Sequence, residues 1–130
     1  MFEAETQHIR IEVTPVFLDE QSEPAENRYV WAYTIRIINQ GEQRVQLISR
    51  YWHITDAIGQ VQEVRGQGVV GEQPVLDPGD EFEYTSGTPL STASGIMRGH
   101  YVMHDEDGEP FQVEVPAFSL DCPYEIHSLN

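Results

Sequence analysis

The chain has 130 residues with 39% hydrophobic side chains, which predicts one compact domain with a core of its own. Its 22 acidic residues outnumber seven basic residues, all of them arginine, and the formal net charge of -15 argues against binding to nucleic acids or to anionic membranes. Because the sequence lacks a long apolar run and a basic, apolar leader, we expect a cytoplasmic protein without a membrane span.

The first predicted strands alternate apolar and polar residues with a period of two. Residues 8–17 place Ile9, Ile11 and Val13 on one face, as in a half-buried strand. Pro15 then marks a strand edge or a bulge, because proline cannot donate to a β-ladder. The sheet edge near Pro15 is therefore a candidate surface for a homodimer. After an acidic loop, residues 28–39 repeat the alternation with aromatic and β-branched side chains.

The next strand changes phase along its length. Val45 and Leu47 occupy odd positions, whereas Trp52 and Ile54 occupy even ones. Both pairs face the core only if one residue is absorbed between them, which predicts a β-bulge within residues 48–50. Residues 61–64 alternate again and lead into a glycine-rich stretch.

The second half of the chain contains two turn signals and a second phase change. Residues 77–80, Asp-Pro-Gly-Asp, predict a tight turn before a strand with Phe82 and Tyr84 inward. The Asp107-Gly108 pair predicts a hairpin between two apolar-rich arms. The phase then changes after Pro116, where we expect the last strand to bend or to change its pairing partner.

These elements predict an all-β fold, an antiparallel β-sandwich of about seven strands that is immunoglobulin-like or fibronectin type III-like. Residues 1–130 form a single domain in this interpretation, with its core at about 8–120 and a short tail at each end. The single cysteine, Cys122, has no intramolecular partner for a disulfide.

The stretch 64–74 contains the glycine spacing of a dinucleotide-binding turn, and its candidate anion loop consists of Arg65, Gly66, Gly68 and Gly71. Such a motif binds phosphate when it ends a strand and opens a helix. No helical pattern follows here, so one interpretation is a twisted or bulged connection that needs glycine for its backbone. The other is a nest of backbone amides that binds an anion, with Arg65 as the counter-charge.

No catalytic residue and no metal site is predicted. His100 and His104 share a strand face, but four residues of strand separate their backbones by about 13 Å, too far to bind one ion together. Residues 105–109 resemble part of a calcium loop and fit a hairpin turn better, and His127 lies in the C-terminal tail. The hydroxyls of residues 84–95 lack a base. We therefore expect no cofactor beyond a weak association with Mg²⁺ or Co²⁺.

Four segments, "SRYWHITD", "VRGQGVVGEQP", "YTSGTPL" and "VPAFSL", closely resemble the ApaG family, and the likeness extends from about His8 to Leu120. The resemblance implies a fibronectin type III-like sandwich and places the family's glycine motif on Gly66, Gly68 and Gly71. It also implies a link to cobalt tolerance and magnesium efflux, and to genes for a diadenosine tetraphosphatase and a ribosomal RNA dimethyltransferase. Similar eukaryotic domains, appended to F-box proteins and to a DNA polymerase-interacting protein, imply contact with other proteins. No established catalytic residue is implied.

Two classes of function follow from these observations. The first is a non-enzymatic protein-interaction module whose loops or exposed strand edge contact a partner that the sequence does not name. The alternative is a protein that binds phosphate, pyrophosphate or a nucleotide through residues 65–71, with a link to Mg²⁺ or Co²⁺ homeostasis as a further hypothesis.

Overall fold

The computed structural model describes residues 1–123 and forms nine β-strands within them. Two short 3₁₀ turns lie in the acidic loop at Asp19–Gln21 and Pro24–Glu26. The strands are Phe2–Thr6 (β1), Ile9–Phe17 (β2), Tyr29–Asn39 (β3), Val45–Asp56 (β4), Val61–Gln67 (β5), Val75–Leu76 (β6), Glu81–Leu90 (β7), Ser94–His104 (β8) and Pro110–Asp121 (β9).

These strands form two antiparallel sheets that pack face to face as a sandwich. The first sheet has the order β1-β2-β3-β7, and the second has the order β5-β4-β8-β9 with β6 also paired to β4. The predicted antiparallel sandwich is confirmed. The described residues contain two strands more than the seven expected: β1 lies in the segment predicted as an N-terminal tail, and β6 has only two residues.

The side chains that face inward are those that the alternation predicted. Ile9, Ile11 and Val13 are buried on β2, as are the inward aromatic and aliphatic residues of β3. Trp31 donates its indole N–H to the backbone oxygen of Asp121 at 2.9 Å, so this buried polar group has a partner. The inner faces of both sheets thus supply one continuous core.

Both predicted phase changes correspond to irregular pairing. The β4–β8 register shifts between Leu47 and Ser49, which confirms the predicted bulge. The β8–β9 register shifts where Pro116 lies, but β9 keeps β8 as its partner on both sides, so the expected change of partner is wrong. Between these positions β9 has one residue more than β8, and this bulge within the β8–β9 pair turns Phe118 and Leu120 toward the core. The hairpin at Gly108 is confirmed.

The two flanks of the sandwich differ. On one flank, β1 and β2 pack closely against β9 and bring the two sheets together. The opposite flank is bordered by β5 and β7, the strands at the other ends of the two sheet orders. Near this flank the hydroxyls of Tyr84 on β7 and Tyr101 on β8 form a buried hydrogen bond of 2.6 Å between the sheets.

Candidate functional site

The glycine-rich stretch forms a tight turn at the end of β5, and β6 rather than a helix follows it. Val69 and Glu72 exchange backbone hydrogen bonds of 2.8 and 2.9 Å, and Val70 and Gly71 between them have φ angles of 44° and 80°. Two positive φ angles inside a reciprocal pair define a type I′ turn. The turn therefore reverses the chain so that β6 returns to β4.

Each glycine of the motif meets a different physical requirement. A Cβ on Gly66 would lie 2.7 Å from a guanidinium nitrogen of Arg50, so Gly66 provides room for that side chain. A Cβ on Gly68 would lie 2.3 Å from the backbone oxygen of Glu72, and its φ of 64° is also left-handed. Gly71 has open space around it but a φ of 80°. Gly68 and Gly71 are thus explained by backbone conformation, and Gly66 by its contact with Arg50.

Several backbone amides of the turn are already hydrogen-bonded within the chain. Gly68 donates to Ile48 at 2.8 Å, and the amides of Val69 and Glu72 donate to each other's carbonyls. A nest that binds an anion needs amides that point at the ligand. Fewer amides are left for that role than the glycine spacing suggests, and anion binding by residues 65–71 stays a prediction.

Arg65 lies apart from the turn that it was expected to serve. Its guanidinium lies over the ring of Tyr51, 4.8 Å from the centroid, and 3.5 Å from the Glu63 carboxylate. These contacts lie on the outer face of the second sheet, where Tyr51 also stacks on His100. The structure therefore places Gly66 near the end of β5 and Gly68 and Gly71 in the connection that follows, but it directs Arg65 to the opposite face of β5.

A different arginine, Arg50, contacts the glycine turn. The bulge in β4 restores the inward phase, so that Arg50 shares its face with Trp52 and Ile54. Its Nη1 donates to the backbone oxygens of Gln67 at 3.1 Å and Gly68 at 2.8 Å. No carboxylate within residues 1–123 forms an ion pair with it. Arg50 therefore presents a cationic group at the open flank.

A cavity of about 320 Å³ lies between the sheets beside Arg50. Burial raises the pKa of the Tyr33 phenol there, and the Ser86 hydroxyl and the Arg50 guanidinium offset part of that rise. Both hydroxyls are neutral at physiological pH and can donate hydrogen bonds to a bound group. The other lining residues are Trp52, Gln67, Val69, Val70, Gly71 and Tyr84. The cavity thus combines aromatic walls, hydroxyl groups and one cation.

Sequence reasoning missed Arg50, although the signal was present. Once the bulge is placed within residues 48–50, the even positions of β4 face inward, and Arg50 is then a charged residue on the core side of a strand. Long charged side chains rarely face a core without a specific contact. The same phase rule that predicted Trp52 and Ile54 therefore also marks Arg50.

A larger cavity of about 730 Å³ lies at one end of the sandwich, beside His8 and Asn39. The Asn39 amide donates to the backbone oxygens of Gln43 and Leu76, and its side-chain oxygen accepts from the Gly41 amide. These contacts use the polar groups of Asn39 for the fold. The hydrogen bonds of Asn39 therefore give the buried polar side chain a structural role at this end of the sandwich.

The acidic turn after β8 is organised by hydrogen bonds within the chain. A carboxylate oxygen of Asp105 accepts from the amides of Asp107 and Glu109 at 2.9 and 3.0 Å, as in a capped hairpin turn. Within residues 1–123, no three histidine, cysteine or acidic side chains lie close enough to hold a metal ion together. His127 lies outside the described residues, and weak Mg²⁺ or Co²⁺ association stays a prediction.

The same 123 residues contain no helix with the length and apolar character needed to cross a membrane.

Comparison with known proteins confirms the resemblance found in the sequence. A family model described as the ApaG domain matches residues 19–105. Proteins named ApaG from Paramagnetospirillum magneticum and Brucella canis are 60% and 59% identical over 130 residues, which is 100% of each chain. A crystal structure of a Bordetella pertussis protein called ApaA has 53% identity and a TM-score of 0.87, over 88% of this chain and 94% of that one. The chain belongs to the ApaG family.

Proposed function

We propose that the protein is a non-enzymatic protein-interaction module of the cytoplasm, and that an extended segment of its partner adds to the free edge of β5. A fibronectin type III-like sandwich is the finer fold that we propose with it. The observation that carries the proposal is a seven-residue edge strand, β5, which pairs with β4 on one side and with no other strand within residues 1–123. Strand addition of this kind is a common way for a sheet to bind a peptide.

The pairing of β5 with β4 identifies which backbone groups are free. Asp56 donates to Gln60, and Gly68 donates to Ile48, so the even residues of this stretch pair with β4 at both of its ends. The register between these two bonds is continuous. Because antiparallel hydrogen bonds alternate, Val61, Glu63 and Arg65 direct their backbone groups to the free edge. The backbone oxygen of Gln67, next in this alternation, accepts from Arg50 Nη1.

The β5 edge lacks several of the features that usually block strand addition. It contains no proline, lysine or bulge, whereas the edge strand β7 contains Pro89. Val61 and Val64 leave 51% and 38% of their surface exposed, which supplies apolar contact area beside the backbone groups. These properties support an edge that receives a partner.

The charge of the molecule indicates the character of the partner. With a net charge of -15, the module attracts basic segments and repels strongly acidic ones at a distance. We therefore propose a basic or neutral extended segment as the occupant of the β5 edge. Association would weaken as salt is added, because salt screens exposed charges.

Affinity capture from a cytoplasmic extract with three matched baits tests this function. Glu63→Pro removes an outward N–H from the β5 edge, whereas Glu63→Ala removes the same side chain and keeps the N–H. We expect the wild type and Glu63→Ala to retain the same proteins and Glu63→Pro to lose them. Proteins retained equally by folded Glu63→Pro, or a substrate turned over by the purified wild type, would contradict the proposal.

The sheet edge near Pro15 offers a separate interaction, a homodimer. β1 pairs with Ile9–Val13 only, so the part of β2 that contains Pro15 continues beyond it. Val16 in this part is 53% exposed. Sedimentation of the purified wild type and of Glu63→Pro measures whether each protein is a dimer. A dimer through the edge near Pro15 would persist in Glu63→Pro, because that substitution lies on β5.

A further inference from the structure

Arg50 lies where a strand added to β5 would meet it, and this inference rests on the proposed function. Gly66 pairs with Arg50 across the β4–β5 ladder. Because Gly66 has no side chain, the guanidinium covers its backbone, with Nη1, Cζ and Nη2 all 2.7 to 2.8 Å from the position of a Cβ. The positive charge of Arg50 therefore lies over β5, although the backbone of Arg50 belongs to β4, one strand farther from the free edge.

We propose that Arg50 binds a carboxylate of the partner, carried by the residue that lies directly opposite Gly66 in the added strand. Gly66 is an even residue whose backbone groups face β4, so its pair with the partner residue is of the non-hydrogen-bonded type. Side chains approach most closely in such pairs. Adjacent strands lie about 4.8 Å apart, which brings an Asp or Glu side chain within reach of the guanidinium.

The guanidinium has the donors that this role requires. Nη1 is used for the Gln67 and Gly68 backbone oxygens, while Nε and Nη2 donate to no acceptor within residues 1–123. Two neighbouring N–H groups of an arginine match the two oxygens of a carboxylate. The bonds from Nη1 fix the plane of the guanidinium and so reduce the entropy lost on binding.

The surroundings favour a carboxylate over a phosphate. One arginine, two neutral hydroxyls and aromatic walls suit a single negative charge on an apolar stem. A phosphate carries more charge against the -15 of the molecule and commonly relies on free backbone amides, several of which the turn has already used. The partner is thus a basic or neutral extended segment with one carboxylate at a fixed position.

A displayed library of random dodecapeptides, selected on the wild-type protein, tests this inference. We expect the enriched peptides to share one acidic residue, and its replacement by the matching amide to weaken binding by about tenfold or more. In Arg50→Gln the same replacement should change binding little. Arg65→Gln removes an equal charge from the opposite face of β5 and serves as the control, in which the tenfold effect should persist.

The outcomes separate this inference from the function beneath it. One contrary result is a set of peptides that fail to bind Glu63→Pro but share no acidic residue. Another is an acidic residue whose replacement weakens binding equally in the wild type and in Arg50→Gln. Either result would overturn the carboxylate site and leave the proposed strand addition at β5 standing. The absence of any enriched peptide would overturn both. Selected peptides in which the acid is the last residue, with binding abolished by a C-terminal amide, would assign the carboxylate to a chain terminus rather than to a side chain. Urea unfolding of Arg50→Gln confirms that the comparison is made on folded protein.

Discussion

Val70 has a φ of 44°, a left-handed conformation that is unfavourable for a β-branched residue. It occupies the first central position of a type I′ turn, where asparagine is preferred and where Gly71 already supplies the second. The Val70 side chain is 54% exposed, so little burial offsets the strain. The sequence thus retains an unfavourable residue at the border of the Arg50 cavity.

We predict that Val70→Asn stabilises the protein by about 1 kcal/mol, because asparagine tolerates the left-handed region better than valine. The urea unfolding midpoint measures this change. Val75→Asn is the matched control, since Val75 is 50% exposed but is not among the residues with positive φ. A midpoint for Val70→Asn that is equal to or below that of the wild type would contradict the assigned turn.

At the scale of single residues, the backbone role of the glycines could be predicted from the sequence, whereas the contacts of Arg50 and Arg65 around them could not. The absence of a helical pattern after Gly71 favoured a backbone role for the glycines, and the structure gives each one such a role. The contact between Arg50 and Gly66 joins residues 16 positions apart, and no local pattern reports it. Arg65 is adjacent in sequence to Gly66, yet the alternation of a strand directs it to the opposite face.

Among the strands, β5 is distinguished by where its backbone groups point. The bulge at Ile48 presents a carbonyl that accepts from Gly68 at 2.8 Å and from the side chain of Gln73 at 2.9 Å, which anchors the turn to β4. The register of β5 is fixed by this anchor at one end and by the Asp56–Gln60 bond at the other. The even residues of β5 therefore bond to β4, and the backbone groups of Val61, Glu63 and Arg65 point to the free edge.

Proline substitution on neighbouring residues of β5 tests this alternation. Val64→Pro removes an N–H that bonds to β4, and we predict a loss of about 1–3 kcal/mol in the free energy of unfolding. Glu63→Pro removes an outward N–H, and we expect a smaller loss because no ladder bond is broken. Urea unfolding of the two variants gives the comparison. Equal losses, or a larger loss for Glu63→Pro, would show that the free edge has been assigned to the wrong residues.

The elements that sequence reasoning missed are those with weak patterns. β1 begins Phe-Glu-Ala-Glu-Thr, whose inward positions include only one large apolar residue. Its turn to β2 uses Gln7 and His8 with φ angles of 47° and 69°, where a sequence signal would require asparagine or glycine. β6 has two residues and forms because the turn delivers it to β4. In contrast, long alternating strands and both phase changes were predicted because apolar side chains must face one core.

For the molecule as a whole, the important contrast lies between its flanks. The flank at β1 and β9 is closed by close packing, and the flank at β5 and β7 contains the Arg50 cavity. Buried phenols lie behind that cavity, where burial raises the pKa values of Tyr33, Tyr84 and Tyr101 above the ordinary value. Their hydroxyls therefore remain protonated donors in the folded protein.

These phenols predict a loss of stability at alkaline pH. Their folded-state pKa values are raised, so the stability they contribute is complete below the unfolded pKa of about 10 and is lost as the pH rises above it. The slope approaches about 1.4 kcal/mol per pH unit for each buried phenol. Urea midpoints at pH 8 and pH 11 measure the effect, and the absence of lysine leaves few other groups that titrate there. Equal midpoints would contradict the burial of these hydroxyls.

Hydrogen exchange at the β5 amides, with and without a selected dodecapeptide, tests the docking edge most directly. In the free protein we predict fast exchange for Glu63 and Arg65 and slow exchange for Val64 and Gly66, since only the even residues pair with β4. When the peptide is bound, Glu63 and Arg65 should become protected while the even residues change little. Unchanged fast exchange at Glu63 and Arg65 in a saturated complex would place the partner elsewhere on the molecule and would contradict strand addition at β5.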